Sequence, residues 1–224
     1  MQKLDVKGIG MTSQRTRNRL VERIKNLGIK NKDVLRVMRF VPRHLFMDAA
    51  LASRSYENTA LPIGHGQTIS QPYIVARMTE LLLENNQPLE KVLEVGTGSG
   101  YQAAVLGGLV KELHTVECIF PLYRKASDLL YNLGYRNIYP HHADGTWGWK
   151  KNAPYDAIMV TAAPQEIPNS LVEQLKIGGR MIIPVGKNNE KQILKLITRT
   201  SKNKHNIKNY ESVVFVPFLQ QKIK

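Results

Sequence analysis

One cysteine, Cys118, stands among 224 residues, so no disulfide can form within the chain and no cysteine-rich zinc site can be built. Aromatic residues make up only 7% and include two tryptophans, Trp147 and Trp149. Acidic residues are also scarce, 18 against 32 basic ones. No run of about 18 apolar residues exists, which argues against a membrane span. The segment Met1–Asp5 lacks the apolar core of a signal peptide. The expectation is a soluble, cytoplasmic protein.

What is present is ordinary globular material. Hydrophobic residues are 42% and charged residues 22%, enough to bury a core without staples and too apolar for disorder. The length suits one domain with an appendage. The excess charge of +14 is concentrated at the ends. Residues 1–50 carry 12 basic and 4 acidic side chains, residues 176–224 carry 11 and 2, and the stretch between is slightly acidic. Basic flanks attract nucleic acid or membranes. No basic run is interleaved with aromatics, however, so lysines on solvated faces are the favoured reading.

The first third reads as helical. Thr12-Ser13 caps a helix whose face is Leu20, Val21, Ile24 and Leu27, closed by Gly28. A second helix carries Val34, Leu35, Val37 and Met38 and ends before Pro42. Ala60 to Ser70 reads as loop, and a third helix with Pro72 in its first turn follows. From Lys91 the pattern changes to short apolar runs: 92–95, 113–116, 138–139, 157–161, 181–184, 193–198 and 213–216. Helices are expected at 102–109, 121–133 and 170–175. Alternation of this kind predicts an α/β fold with a mostly parallel, doubly wound sheet. The last two runs have no helix between them, and Asn203, Lys204 and Asn206 predict an antiparallel hairpin there. The organisation expected is a single domain over 1–224. Residues 1–90 form helices and a loop, 91–186 a ligand-binding core and 187–224 a C-terminal hairpin.

The segment Leu93–Tyr101 follows a predicted strand and opens a helix. Gly96, Gly98 and Gly100 permit a sharp turn and close approach of a ligand, flanked by Thr97 and Ser99. Tyr101 stands where a dinucleotide fingerprint needs its last glycine, and no Lys-Ser/Thr follows as in a nucleotide-phosphate loop. Glu94 before the loop repels phosphate and suits a cation. Glu117 closes the next strand, where an acid accepts both ribose hydroxyls. Asp144-Gly145 follows the third strand, where a carboxylate can take an adenine amino group. Three acids at successive strand ends point to a cationic adenosine, S-adenosylmethionine. A tight turn with solvated acids explains each residue singly but not their order. Thr161-Ala162-Ala163 at the end of the fourth strand leaves room for such a ligand. Trp147 and Trp149 suit either stacking on adenine or packing. His141 and His142 flank Asp144 without metal-ligand spacing, so no metal is expected.

These segments, with Ala60–Tyr73, Asp156–Pro164, Gly178–Gly186 and Val214–Pro217, resemble the protein-L-isoaspartate O-methyltransferase family from about Thr12 to Phe218. His65, Cys118 and Ala143 depart from that family's usual residues. The resemblance implies methylation of the α-carboxylate of isoaspartyl residues in damaged proteins and peptides, and repair through a succinimide. It implies Ser70 as the active-site serine, with Thr68, Ile69 and Gln71 shaping the same wall. It implies that Val214 and Val216 pair with the bound peptide. Read without the family, Ser70 is an N-cap of the next helix.

Two other functions compete with this reading. One is a nucleic-acid methyltransferase, suggested by the charge, although Thr161–Pro164 replaces the expected Asn/Asp-Pro-Pro-aromatic box. The other is a sensor that binds without turnover. No nucleic acid or membrane partner is expected, and the oligomeric state is not legible.

Overall fold

The structure, a computed structural model, describes residues 5–84, 88–187 and 190–219. Three helices lead. Helix α1 is Gln14–Asn26, α2 is Lys32–Phe40 and α3 is Pro72–Leu82. Leu20, Val21 and Ile24 of α1 are buried, as the 3.6 period requires. Leu27 is not on that face. The helix ends at Asn26, and Leu27 turns out to 50% exposure before Gly28 takes φ +108°. Ser13 is the N-cap, but its hydroxyl meets Thr16 rather than a helix N–H. Asn31 caps α2 directly, its side chain accepting from the N–H groups of Asp33 and Val34.

The segment expected to be loop contains a small antiparallel hairpin, β1 (Leu61–Gly64) with β2 (Gln67–Ile69). Gly64, His65 and Gly66 all have positive φ at its tip, and His65 does so without glycine's freedom.

The sheet has seven strands: β3 Lys91–Val95, β4 Glu112–Glu117, β5 Ile138–His142, β6 Tyr155–Val160, β7 Leu175–Val185, β8 Gln192–Ser201 and β9 Lys204–Val213. Their order is β5-β4-β3-β6-β7-β8-β9. The pairs from β5 to β7 are parallel, and those among β7, β8 and β9 are antiparallel. Helices α4 (Tyr101–Gly107), α5 (Phe120–Asn132) and α6 (Asn169–Val172) connect the parallel strands. Successive side chains on a strand face opposite ways, and two cores result. Val92, Ala157 and Met159 pack with the N-terminal helices. Leu93, Val95, Ile158 and Val160 pack with α6 and the inner face of β7.

Two expectations need correction. Leu175 starts β7 rather than ending α6, so that strand runs through Gly178-Gly179. The apolar run 213–216 is not the last strand. That strand is the polar Lys204–Val213, and residues 214–216 have left the sheet. The chain runs β3, β4, β5 outward and then crosses back to set β6 beside β3. The crevice at the carboxyl ends of β3 and β6 is therefore the place where a ligand fits.

Candidate functional site

A cavity enclosing about 750 Å³, including its open mouth, lies in that crevice. The glycine loop forms one wall. Its turn is held from below, where the Gly96 and Thr97 N–H groups donate to the Val116 carbonyl at 2.9 and 3.2 Å. The Thr161 hydroxyl donates to the carbonyls of Gly96 at 2.6 Å and Val95 at 3.1 Å. Gly96 has φ +97°, and a Cβ there would stand 2.3 Å from Thr161 Oγ1, so only glycine fits.

Glu117 lines the same cavity. One carboxylate oxygen accepts the Gly98 N–H at 2.8 Å and the other accepts the Ile119 N–H at 2.9 Å. Each oxygen keeps a lone pair for a ligand hydroxyl. The opposite wall is Gln67, Thr68, Ile69 and Ser70, the end of β2 and the residue after it. Among the described residues no protein group bonds the Ser70 hydroxyl. The N-cap of α3 is Gln71, one residue later, so the capping role expected for Ser70 is not filled.

The cavity thus brings together Thr68, Ile69, Ser70, Gly96, Thr97, Gly98, Ser99, Glu117, Gly145, Thr161 and Val216. Four expected residues are not on its wall. The Glu94 side chain is fully buried beneath the glycine loop, where the Thr115 hydroxyl donates to Oε2 at 2.5 Å while Oε1 has no partner. Burial pushes its carboxyl up to about 8, with Thr115 opposing and Glu117 adding to the rise. Burial thus disfavours a charge on Glu94, and its one side-chain hydrogen bond is to Thr115 beneath the loop, away from the cavity wall. Asp144 turns its Oδ1 to the Thr146 N–H at 2.8 Å, and its neighbour Gly145 takes the place at the wall. The side chain of Gln71 donates to the Asn58 carbonyl at 2.9 Å. Val214 points to solvent at 77% exposure.

Val216 reaches the wall because the chain after β9 folds over the ends of the strands. The Ala163 N–H donates to the Val216 carbonyl and the Phe218 N–H to the Ala163 carbonyl, at 2.9 and 3.1 Å. The Val216 carbonyl is thereby already engaged. Neither tryptophan lines the cavity. Trp147 is 63% exposed, and Trp149 stacks on His141 at 4.0 Å. Among the described residues no group of three or more His, Cys, Asp and Glu side chains could hold a metal.

Several cavity residues were not anticipated. Tyr101, Gln102, Cys118, Ile119, Phe218 and Leu219 all contribute. Their positions beside recognised motifs were the available signal, since Tyr101 directly follows the loop and Phe218 follows Val214–Pro217.

The family model described as Protein-L-isoaspartate(D-aspartate) O-methyltransferase matches residues 14–223. The chain belongs to this family. It is 55% identical over 221 residues to the protein-L-isoaspartate O-methyltransferase of Cellvibrio japonicus, covering 98% of each chain. It is 51% identical over 223 residues to that of Halorhodospira halophila, covering both in full. A solved protein-L-isoaspartate O-methyltransferase superposes with a TM-score of 0.81 at 28% identity, over 90% of this chain and 65% of that one. A Plasmodium falciparum structure described as a beta-aspartate methyltransferase, in complex with S-adenosyl-L-homocysteine, shares the fold. Its TM-score is 0.79 at 24% identity, over 92% of this chain and 99% of that one. No helix among the described residues is long and apolar enough to cross a membrane.

Proposed function

We propose that this cavity binds S-adenosyl-L-methionine against the glycine loop and Glu117, and that the chain transfers its methyl group to the α-carboxylate of L-isoaspartyl residues in damaged proteins and peptides. The observation that carries this assignment of roles is the facing of two walls. The segment Gln67–Ser70 and the loop Gly96–Ser99 border one cavity, so an acceptor held at Ser70 lies opposite a cofactor held at the loop. The ribose hydroxyls fall to Glu117, the adenine end to Gly145, and the peptide to the wall of Thr68, Ile69 and Val216.

The chemistry asks little of acid–base groups. An α-carboxylate has a pKa of about 3.5 and is already ionised at pH 7. Its oxygen attacks the methyl carbon, the carbon–sulfur bond breaks, and the electron pair returns to sulfur. No proton moves, and a methyl ester and a neutral thioether result. The neighbouring peptide nitrogen then displaces methanol to give the succinimide. Catalysis therefore rests on in-line positioning and exclusion of water. The whole chain acts as one catalytic domain, because the N-terminal helices share a core with the sheet. Its place is the cytoplasm, its partners are isoaspartyl proteins, and the basic flanks serve solvation rather than RNA.

Ser70→Ala tests the assignment. With cofactor affinity nearly intact, kcat/KM should fall about tenfold to a thousandfold, equivalent to roughly 1.4–4 kcal/mol. Base-labile label should appear on an isoaspartyl peptide and not on its aspartyl twin or on RNA. Wild-type turnover by the folded variant would remove Ser70 from the mechanism, and label on RNA would favour the nucleic-acid reading.

A further inference from the structure

Arg43 is fully buried and has no carboxylate partner among the described residues. Its Nε donates to the Ser55 carbonyl at 2.9 Å and its Nη2 to the Ser70 carbonyl at 2.8 Å. The guanidinium lies 4.7 Å from the ring centroid of Tyr101, the first residue of α4 and part of the cavity wall. Its Nη1 is buried without a partner. Burial lowers the guanidinium to about 10, so it remains charged at pH 7.

A second buried arginine, Arg17, provides the contrast. Its three nitrogens meet the Tyr56 hydroxyl and the carbonyls of Arg39, Phe40 and Val6. Arg17 ties together the N-terminal helices and the segment before them, and nothing it touches lines the cavity. Arg43 uses the same device with different targets, because it joins the acceptor wall at Ser70 to the cofactor wall at Tyr101. A buried cation held by neutral groups is costly, and well-packed apolar residues commonly replace such groups without loss of stability. Arg17 shows that such a fork can serve packing alone; what sets Arg43 apart is that two of its targets, Ser70 and Tyr101, border the cavity, and a planar fork holds them at fixed separations.

We propose that Arg43 is a positioning residue for methyl transfer, fixing the Ser70 peptide at its distance from the cofactor loop. The proposal rests on the reading of Ser70 given above. A displacement of about 1 Å between reacting groups can cost on the order of a hundredfold in rate, and Arg43 is the strut that limits it. Lysine keeps the charge and most of the stem but replaces the rigid fork with a flexible ammonium, which does not fix the two carbonyls and the ring at set separations.

The test compares R43K, R43M, S70A and the double variant R43K/S70A. For each, thermal stability, affinity for S-adenosyl-L-homocysteine and kcat and KM with an isoaspartyl peptide are measured. R43K and R43M should lower kcat about tenfold to a hundredfold, with KM and affinity for S-adenosyl-L-homocysteine each within about threefold. The double variant should lose no more than about threefold beyond S70A alone, because the strut acts through Ser70. R43K with wild-type kcat beside an impaired S70A would overturn the role of Arg43 and leave that of Ser70 standing. Losses that multiply in the double variant would also overturn it. Failure of both R43K and R43M to fold would class Arg43 as a stability residue and end the proposal. S70A with wild-type turnover would instead remove the underlying reading of Ser70.

Discussion

Glu117→Gln is the substitution whose outcome the geometry constrains most tightly. The carboxylate accepts two backbone N–H groups with its two oxygens, Gly98 at 2.8 Å and Ile119 at 2.9 Å. An amide of the same shape offers one oxygen and one NH₂ group. Whichever way it turns, one of the two N–H groups meets another donor. The variant therefore loses one charge-assisted bond that shapes the glycine loop, together with the acceptor for one ribose hydroxyl. Bonds to charged groups contribute about 1.5–3 kcal/mol each, and part of the loss falls on the free protein as well as on the complex. The expected weakening of cofactor binding is about 2–4 kcal/mol, or roughly 30-fold to 1000-fold in Kd. Glu117→Ala should be no worse than Gln, because alanine leaves the N–H groups to water rather than to a donor. Calorimetric titration with S-adenosyl-L-homocysteine measures both variants, and a parallel melt shows whether they are folded. An affinity within threefold of wild type in a folded Glu117→Gln protein would refute the role given to this carboxylate.

Two further outcomes follow from the floor of the cavity. Gly96→Ala places a Cβ 2.3 Å from Thr161 Oγ1 at a φ of +97°, and should cost stability by about 1–3 kcal/mol and weaken cofactor binding in the folded fraction; a chemical-denaturation curve superimposable on wild type would contradict it. Glu94, with its carboxyl raised to about 8, keeps its proton in the folded chain where the unfolded chain releases it. Its contribution to stability is full below the ordinary carboxylate range and is lost as pH rises towards 8, so Glu94→Gln should flatten that part of a Tm-against-pH profile; an unchanged slope would show Glu94 ionised in the folded protein.

The elements most legible in sequence were those with a clean period. The apolar runs 92–95 and 157–161 were expected as strands of a parallel sheet covered on both sides, and each contributes to both cores. What escaped was structure without a period. The β1–β2 hairpin has strands of four and three residues around a Gly-His-Gly tip, too short for any pattern to register. Strand β9 is an edge strand with mostly exposed, polar side chains, so its apolar content was too low to mark it. The apolar run beside it belongs to the segment folded over the cavity. In the site, spacing located the acids at strand ends but could not tell on which side of the backbone each carboxylate falls. Glu117 faces the cavity, Glu94 lies beneath the loop and Asp144 turns to its own 3-10 segment. Arg43 had no local signature, because its partners lie 12, 27 and 58 residues away along the chain.

These placements change the electrostatic picture that the sequence suggested. Three ionised carboxylates around a sulfonium would stabilise the reactant cation and oppose its consumption. The wall instead presents one carboxylate, Glu117, whose oxygens already accept two N–H groups. Burial raises the Glu94 carboxyl to about 8, and Ile69, Val75, Val95, Val116, Ile119 and Phe218 supply an apolar lining. Methyl transfer between a carboxylate and a sulfonium destroys both charges, so a medium that solvates ions poorly favours the transition state over the separated reactants. The net charge of +14 has little part in that step, since the flanks that carry it lie outside the acidic middle of the chain that builds most of the cavity. Their effect on a short neutral peptide should be screened away by salt, whereas the apolar lining of the cavity acts at any ionic strength.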